Sequence, residues 1–305
     1  MWFGSCLTCC DTRDRHQEGE IRVTTGPDFE AIIGGIARGE VVPYLGPGVL
    51  KGVVEEGTGE PLPADSDSLI VAMNGGRPMA PKLMYEFPRA AMNIELKRGR
   101  RYIEQFLTKL YGARTWSRAP MHDWLAALKP SYVIDINRDT QLQESFATTP
   151  HLLIKGIARI GGTDYRFVLF QHDGTAYRAV SLDEADPDLP VLFKPMGSPT
   201  PTPVYIASDA DYVDYITELM GGFGVPLFLK KRRRAKRYLF LGMRFTRDTE
   251  RMVMSDIIFD AAEPAGWALI ESPTDKERRY CATKNIEIVE TSLDAFLDAA
   301  RATAG

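Results

Sequence analysis

Apolar residues recur at Phe29, Ile32, Ile33 and Ile36, the i, i+3, i+4, i+7 spacing of one helical face. Pro27 suits the first turn and Gly39 the exit, so the pattern predicts a helix over 27–39. Val41-Val42-Pro43-Tyr44-Leu45 follows as an unbroken apolar run of strand length, ending at Gly46-Pro47-Gly48. From 51 to 81 Gly, Pro, Asp and Ser dominate, and a long loop is predicted. Ile103, Phe106, Leu107 and Leu110 restore the helical spacing, with Arg98, Arg100 and Arg101 near the helix start or on its solvated face. A further helix over Met121 to Leu128 leads through Lys129-Pro130 into the strand Tyr132 to Ile136.

Strand-like runs recur at 152–154, 167–170, 191–193, 238–241, 267–270 and 286–289. Helix candidates lie at 210–219, at 249–259 and from about Ser292, where Leu293, Phe296, Leu297 and Ala300 share a face. Strands alternating with helices predict an α/β fold: a Rossmann-like, mostly parallel sheet with helices on both faces and inserted segments. No internal repeat and no dividing linker stands out. The chain is read as a flexible, cysteine-containing N-terminal segment over 1–26 and one α/β domain over 27–305.

Composition narrows the class. With 305 residues, 44% hydrophobic and 26% charged, the chain has the makings of a full core and is not a disordered polymer. No apolar run approaches the roughly 20 residues of a bilayer span. The opening MWFGSCLTCCDTRDR has neither a basic start nor a long apolar stretch, so a cytoplasmic protein without a leader is expected. A net charge of -4 gives no overall bias toward nucleic acid or anionic membrane. Four cysteines are too few for a disulfide scaffold. Cys6-x-x-Cys9 has metal-ligand spacing that Cys10 and His16 could complete, but the second such pair of a zinc site is missing. Reduced thiols on a frayed segment are the simpler account.

In an open parallel sheet, ligands bind beyond the carboxyl ends of the strands, so the strand exits matter most. Gly46-Pro47-Gly48 follows the first strand, Asn137-Arg138-Asp139 the second, Lys194-Pro195-Met196-Gly197 a third and Gly242-Met243-Arg244 a fourth. Gly46 and Gly48 would let backbone approach a phosphate, with amides available to the anion. Lys51 stands where a third glycine would complete a dinucleotide fingerprint, so the pair also reads as a tight turn. Asn137 and Asp139 equally suit a local turn held by side chain to amide bonds.

Taken in order, these exits resemble the sirtuin-like family of NAD-dependent proteins, in its prokaryotic branch without a zinc module. The family pairs a strand with Gly-Ala-Gly, here Gly46-Pro47-Gly48, and a later strand with Thr-Thr-Asn-Tyr-Asp, here Asp135 to Asp139. Its Lys-Leu-His-Gly is similar to Lys194-Pro195-Met196-Gly197, and its Leu-Phe-Leu-Gly to Leu239 to Gly242. The resemblance implies cleavage of the nicotinamide–ribose bond, with Asn137 and Asp139 as the catalytic pair. Asn137 would orient ribose or an attacking water and Asp139 would support the loop. It further implies an NAD site of Gly46, Pro47, Gly48, Asn137, Met196, Gly197 and Gly242, with the glycine pair at the pyrophosphate and Gly242 at the adenosine half. Two departures bear on activity. Met196 stands where the family has its general-base histidine, and a thioether cannot exchange a proton. No cysteine lies between Cys10 and Cys281, so the zinc module of protein-deacylating sirtuins is missing and free NAD or ADP-ribose is the expected ligand. Of the other histidines, His172 is expected on a turn, His122 in a structural role, and His151 opens a strand.

Lys230 to Arg237 carries seven basic residues in eight, which suits nucleic acid or an acidic partner, or simply the exposed side of a helix. No interleaved aromatics accompany it, so nucleic acid is disfavoured. Three readings remain: an NAD-binding protein with weak cleavage, a non-catalytic nucleotide sensor or partner-binding protein (self-association included), and a binder of nucleic acid or an acidic partner through the basic run.

Overall fold

The computed structural model describes residues 28–303. The expected N-terminal segment, with Cys6, Cys9, Cys10, His16 and Pro27, lies outside the described residues. Asp28 caps α1 (Phe29–Ala37) by accepting from the Ala31 amide at 3.1 Å. Gly39, at φ +70°, turns the chain into β1 (Val41–Leu45). A 3-10 turn at Pro47–Leu50 then precedes α2 (Ser66–Met73), α3 (Pro81–Met84), α4 (Phe87–Arg98), α5 (Arg100–Gly112) and α6 (Pro120–Leu128). Next come β2 (Tyr132–Asp135), α7 (Gln141–Ser145), β3 (His151–Gly156), β4 (Phe167–His172), β5 (Tyr177–Val180) and β6 (Val191–Lys194). A short hairpin, β7 (Gly197–Ser198) and β8 (Val204–Tyr205), leads to α8 (Asp209–Met220), α9 (Leu227–Arg232) and β9 (Arg237–Leu241). The chain closes with α10 (Asp248–Ile257), β10 (Gly266–Leu269), α11 (Asp275–Thr283), β11 (Ile286–Val289) and α12 (Leu293–Thr303).

Among the described residues the main sheet has nine strands in the order β11-β10-β9-β1-β2-β6-β3-β4-β5. The first seven are parallel, and β4 and β5 add an antiparallel edge. The α/β architecture with a mostly parallel sheet is therefore as expected. Alternate residues of each strand feed opposite faces, as the pleat requires. Val41, Leu45, Val133 and Leu153 pack on one side, and Val42, Tyr44, Ile134 and Ile154 on the other.

The stretch 51–81 is not all loop. Asp65 caps α2 by accepting from the Asp67 and Ser68 amides, and Leu69, Ile70 and Met73 anchor that helix in the core. The turn-rich composition hid it. No sequence signal marked α4 either, because its buried face is made largely of Pro88, Ala90 and Ala91, too small to stand out as a stripe.

The basic run is less exposed than expected. Arg233 is buried and donates to the Asp256 and Ile257 carbonyls at the end of α10, both at 3.0 Å. Arg232 donates to Leu189 O at 2.8 Å, Lys236 to Gly39 O at 2.6 Å, and Lys230 to Gly222 O. These cations satisfy carbonyls at helix and loop ends, a task that clusters basic residues without any external anion.

Candidate functional site

Strand β1 lies between β2 and β9, and the chain winds outward from it in both directions, so its carboxyl end is a topological switch point. The exits of β1 and β9 are locked together there. Gly46 N donates to Leu241 O and Gly48 N to Gly242 O, both at 2.9 Å. A Cβ on Gly46 would sit 2.6 Å from Met243 Sδ, and one on Gly48 2.8 Å from Gly242 Cα. Gly242 itself has φ +68°, and a Cβ there would meet Val49 N at 2.5 Å. All three glycines are thus required by backbone approaching backbone, and the Gly46 and Gly48 amides are engaged internally.

Beyond β2, Asp135 Oδ1 accepts from the Asn137 backbone amide at 3.0 Å and from its Nδ2 at 2.9 Å. Asn137 Nδ2 also donates to Gly46 O at 3.1 Å. Both partners are acceptors only, which fixes the amide orientation and leaves Oδ1 for the cleft that Asn137 lines. Asp135 Oδ2 pairs with Lys194 Nζ at 2.6 Å, and His122 Nε2 lies 3.9 Å from the same oxygen. Burial alone would raise the Asp135 carboxyl, but Lys194 and His122 hold it below the usual carboxylate range. Asp139 is buried, accepts from the Gln141 amide at 2.7 Å, and leaves Oδ2 without a partner. Burial raises its carboxyl, and Asp135 adds to the effect against the pull of Lys194.

Above this floor lies an open cleft of about 670 Å³, counting its mouth, lined by Tyr44, Pro47, Leu50, Phe87, Ile136 and Val253 among its apolar residues. Its polar lining comprises Ser66, Glu86, Asn137, Arg138, Arg247, Thr249 and Glu250, with Tyr111 and Tyr212 contributing rings and hydroxyls. Met196 lines the same cleft as Asn137. Tyr44 Oη and Ser66 Oγ are buried here without a hydrogen-bond partner. Such orphans are costly unless a ligand or water meets them. Arg138 is held by Ile206 O at 2.6 Å and Tyr212 Oη at 3.2 Å, with its guanidinium over the Phe87 ring at 5.0 Å.

A family model described as the SIR2-like domain matches residues 133–289, from β2 to β11. The chain belongs to the SIR2-like family. No curated protein matches it. The SIR2-like match takes in Asn137, Asp139, Met196, Gly197 and Gly242, while Gly46, Pro47 and Gly48 lie ahead of it.

Of the expected site residues, Pro47, Asn137 and Met196 meet in the cleft. Asp139 is buried away from that lining and accepts from the Gln141 amide. Gly197, at φ +78°, serves the hairpin, because a Cβ there would lie 2.0 Å from Val204 O. His172 ends β4 and stacks on His151 with ring centroids 4.9 Å apart, lining a separate pocket with Tyr177 and Gln143. His122 is fully buried beside Asp135. Sequence reasoning missed Tyr44, Glu86, Arg138 and Glu250. Arg138 and Glu250 had a local signal: Arg138 sits in the exit of β2 beside Asn137, and Glu250 in the first helical turn after the Gly242 exit.

Proposed function

We propose that this SIR2-like protein binds NAD or ADP-ribose in the Asn137 cleft and cleaves the nicotinamide–ribose bond slowly. The observation that carries this reading is the Asn137 amide, pinned by Gly46 O and Asp135 so that Oδ1 is offered to the cleft. The lining suits a dinucleotide: apolar walls from Phe87, Leu50 and Tyr44 for rings, and the orphaned Tyr44 and Ser66 hydroxyls for ligand hydroxyls or phosphate. The glycines of the two strand exits contribute by letting β1 and β9 leave the sheet in contact, which fixes the backbone beside the cleft.

NAD supplies a good leaving group, neutral nicotinamide, so a first task of the protein is to orient the ribose and an attacking water. Asn137 Oδ1 performs the orienting, with Asp135 and Lys194 keeping its amide in place. Met196 brings no proton chemistry, which supports slow turnover. The absence of cysteine between Asn137 and Lys194 supports a zinc-free, prokaryotic-type protein acting on free nucleotide rather than on acylated protein.

The test is nicotinamide release at millimolar NAD over hours, beside Asn137→Ala. Release beyond one equivalent per chain, lost in the variant, supports the enzyme. Met196 favours a second reading, a nucleotide sensor, which predicts thermal stabilisation by NAD without consumption. The internal engagement of Arg232, Arg233 and Lys236 argues against the basic run as a nucleic-acid surface.

A further inference from the structure

We infer that Glu250 is the catalytic proton acceptor of the cleft, taking the proton of the attacking water while Asn137 orients it. This rests on the dinucleotide reading above. Of the two glutamates lining the cleft, Glu86 is engaged: its Oε1 accepts from the Asp248 amide at 2.8 Å and the Thr249 amide at 3.4 Å, capping α10. Asp135 and Asp139 lie beneath the floor, and His172 lines another pocket with His151 stacked on its ring. Glu250 lines the cleft, is partly exposed, and makes no hydrogen bond or ion pair among the described residues.

A carboxylate held for structure is normally paired or fully solvated, and Glu250 is neither. Burial raises its pKa to about 7. Arg247 beside it and Arg138 on the β2 exit favour the charged form, while Glu86 and Asp65 oppose it. From β1 and α8 it faces the hydroxyls of Tyr44 and Tyr212. A group so poised is ionised enough to accept a proton at neutral pH and basic enough to keep it.

The step balances as hydrolysis. The water oxygen bonds to the ribose C1′ and its proton passes to the Glu250 carboxylate. The C1′–N bond breaks, and its electron pair leaves with nicotinamide, which departs neutral. Glu250 then returns the proton to solvent.

The experiment compares wild type with Glu250→Gln, which keeps shape and hydrogen-bonding length. Nicotinamide release is followed from pH 5.5 to 8.5, and ADP-ribose binding by calorimetry in buffers of different ionisation enthalpy. The expected results are wild-type release that rises with pH through about 7, and a fall of about 100- to 10,000-fold in Glu250→Gln. ADP-ribose binding should be linked to proton exchange in wild type and lose that linkage in the variant, with affinity changed only a few-fold. Release from Glu250→Gln within about threefold of wild type, or proton linkage unchanged by the substitution, overturns the inference. Wild type that binds ADP-ribose but releases no nicotinamide at any pH also overturns it, and leaves the binding reading standing. No binding to either protein overturns both.

Discussion

Lys194 Nζ lies 2.6 Å from Asp135 Oδ2, with neither side chain exposed to solvent, and the other oxygen of Asp135 holds Asn137. The ion pair is therefore the foundation of the site as well as part of the core. Removing one member of a buried pair strands the other, at a cost of about 3–5 kcal/mol. Lys194→Met should lower stability by that amount in urea titration. Lys194→Met combined with Asp135→Asn should recover part of it, since no uncompensated charge is left.

The glycines at the two strand exits differ from those in open loops. Gly242 combines φ +68° with a backbone neighbour 2.5 Å from any Cβ, whereas Gly59, at φ +74°, has open space around it. Gly59→Ala should cost about 1 kcal/mol, the strain of a left-handed residue alone. Gly242→Ala should cost well above that and separate β1 from β9, reducing ADP-ribose binding too. Urea midpoints of the two variants check the contrast.

His151 gives the fold an acid-sensitive point away from the cleft. Burial, reinforced by His172, pulls its imidazole from 6.5 to about 4. As pH falls from 6.5 toward 4, the unfolded chain gains a proton that the folded chain refuses, so stability declines across that window. The full effect is on the order of 3 kcal/mol. His151→Asn should flatten the decline in a series of melting curves.

Within the basic run, position should decide the cost of substitution. Arg233→Ala removes the donor to two buried α10 carbonyls and should cost about 1–3 kcal/mol. Lys231 is exposed, and Lys231→Ala should change stability by less than about 0.5 kcal/mol. Thermal denaturation separates the two.

The parallel strands were legible because buried central strands are nearly all apolar and end at glycine or polar turns, as Val41 to Leu45 does before Gly46. Asn137 was legible for the same reason, since it follows β2 directly. Helix α4 was not, because alanine contributes to a buried face without announcing it. The cleft walls were hidden more deeply. Tyr44, Glu86 and Glu250 come from a strand, a helix entry and a distant helix, and the packing of α4 and α10 on α8 helps bring them together. The glycines were legible as glycines, but the neighbours that require them, Gly242 for Gly48 and Val204 for Gly197, are fixed by tertiary structure.

The central claim is that the Asn137 cleft binds an adenine dinucleotide or its ADP-ribose portion. The most direct measurement is the melting temperature with and without millimolar ADP-ribose, in wild type and in Asn137→Ala. Ligand at about 100 times its dissociation constant adds about 2.7 kcal/mol, so wild type should melt several degrees higher and Asn137→Ala should lose most of that gain. An unchanged melting temperature in wild type, or an equal rise in both proteins, would contradict the account.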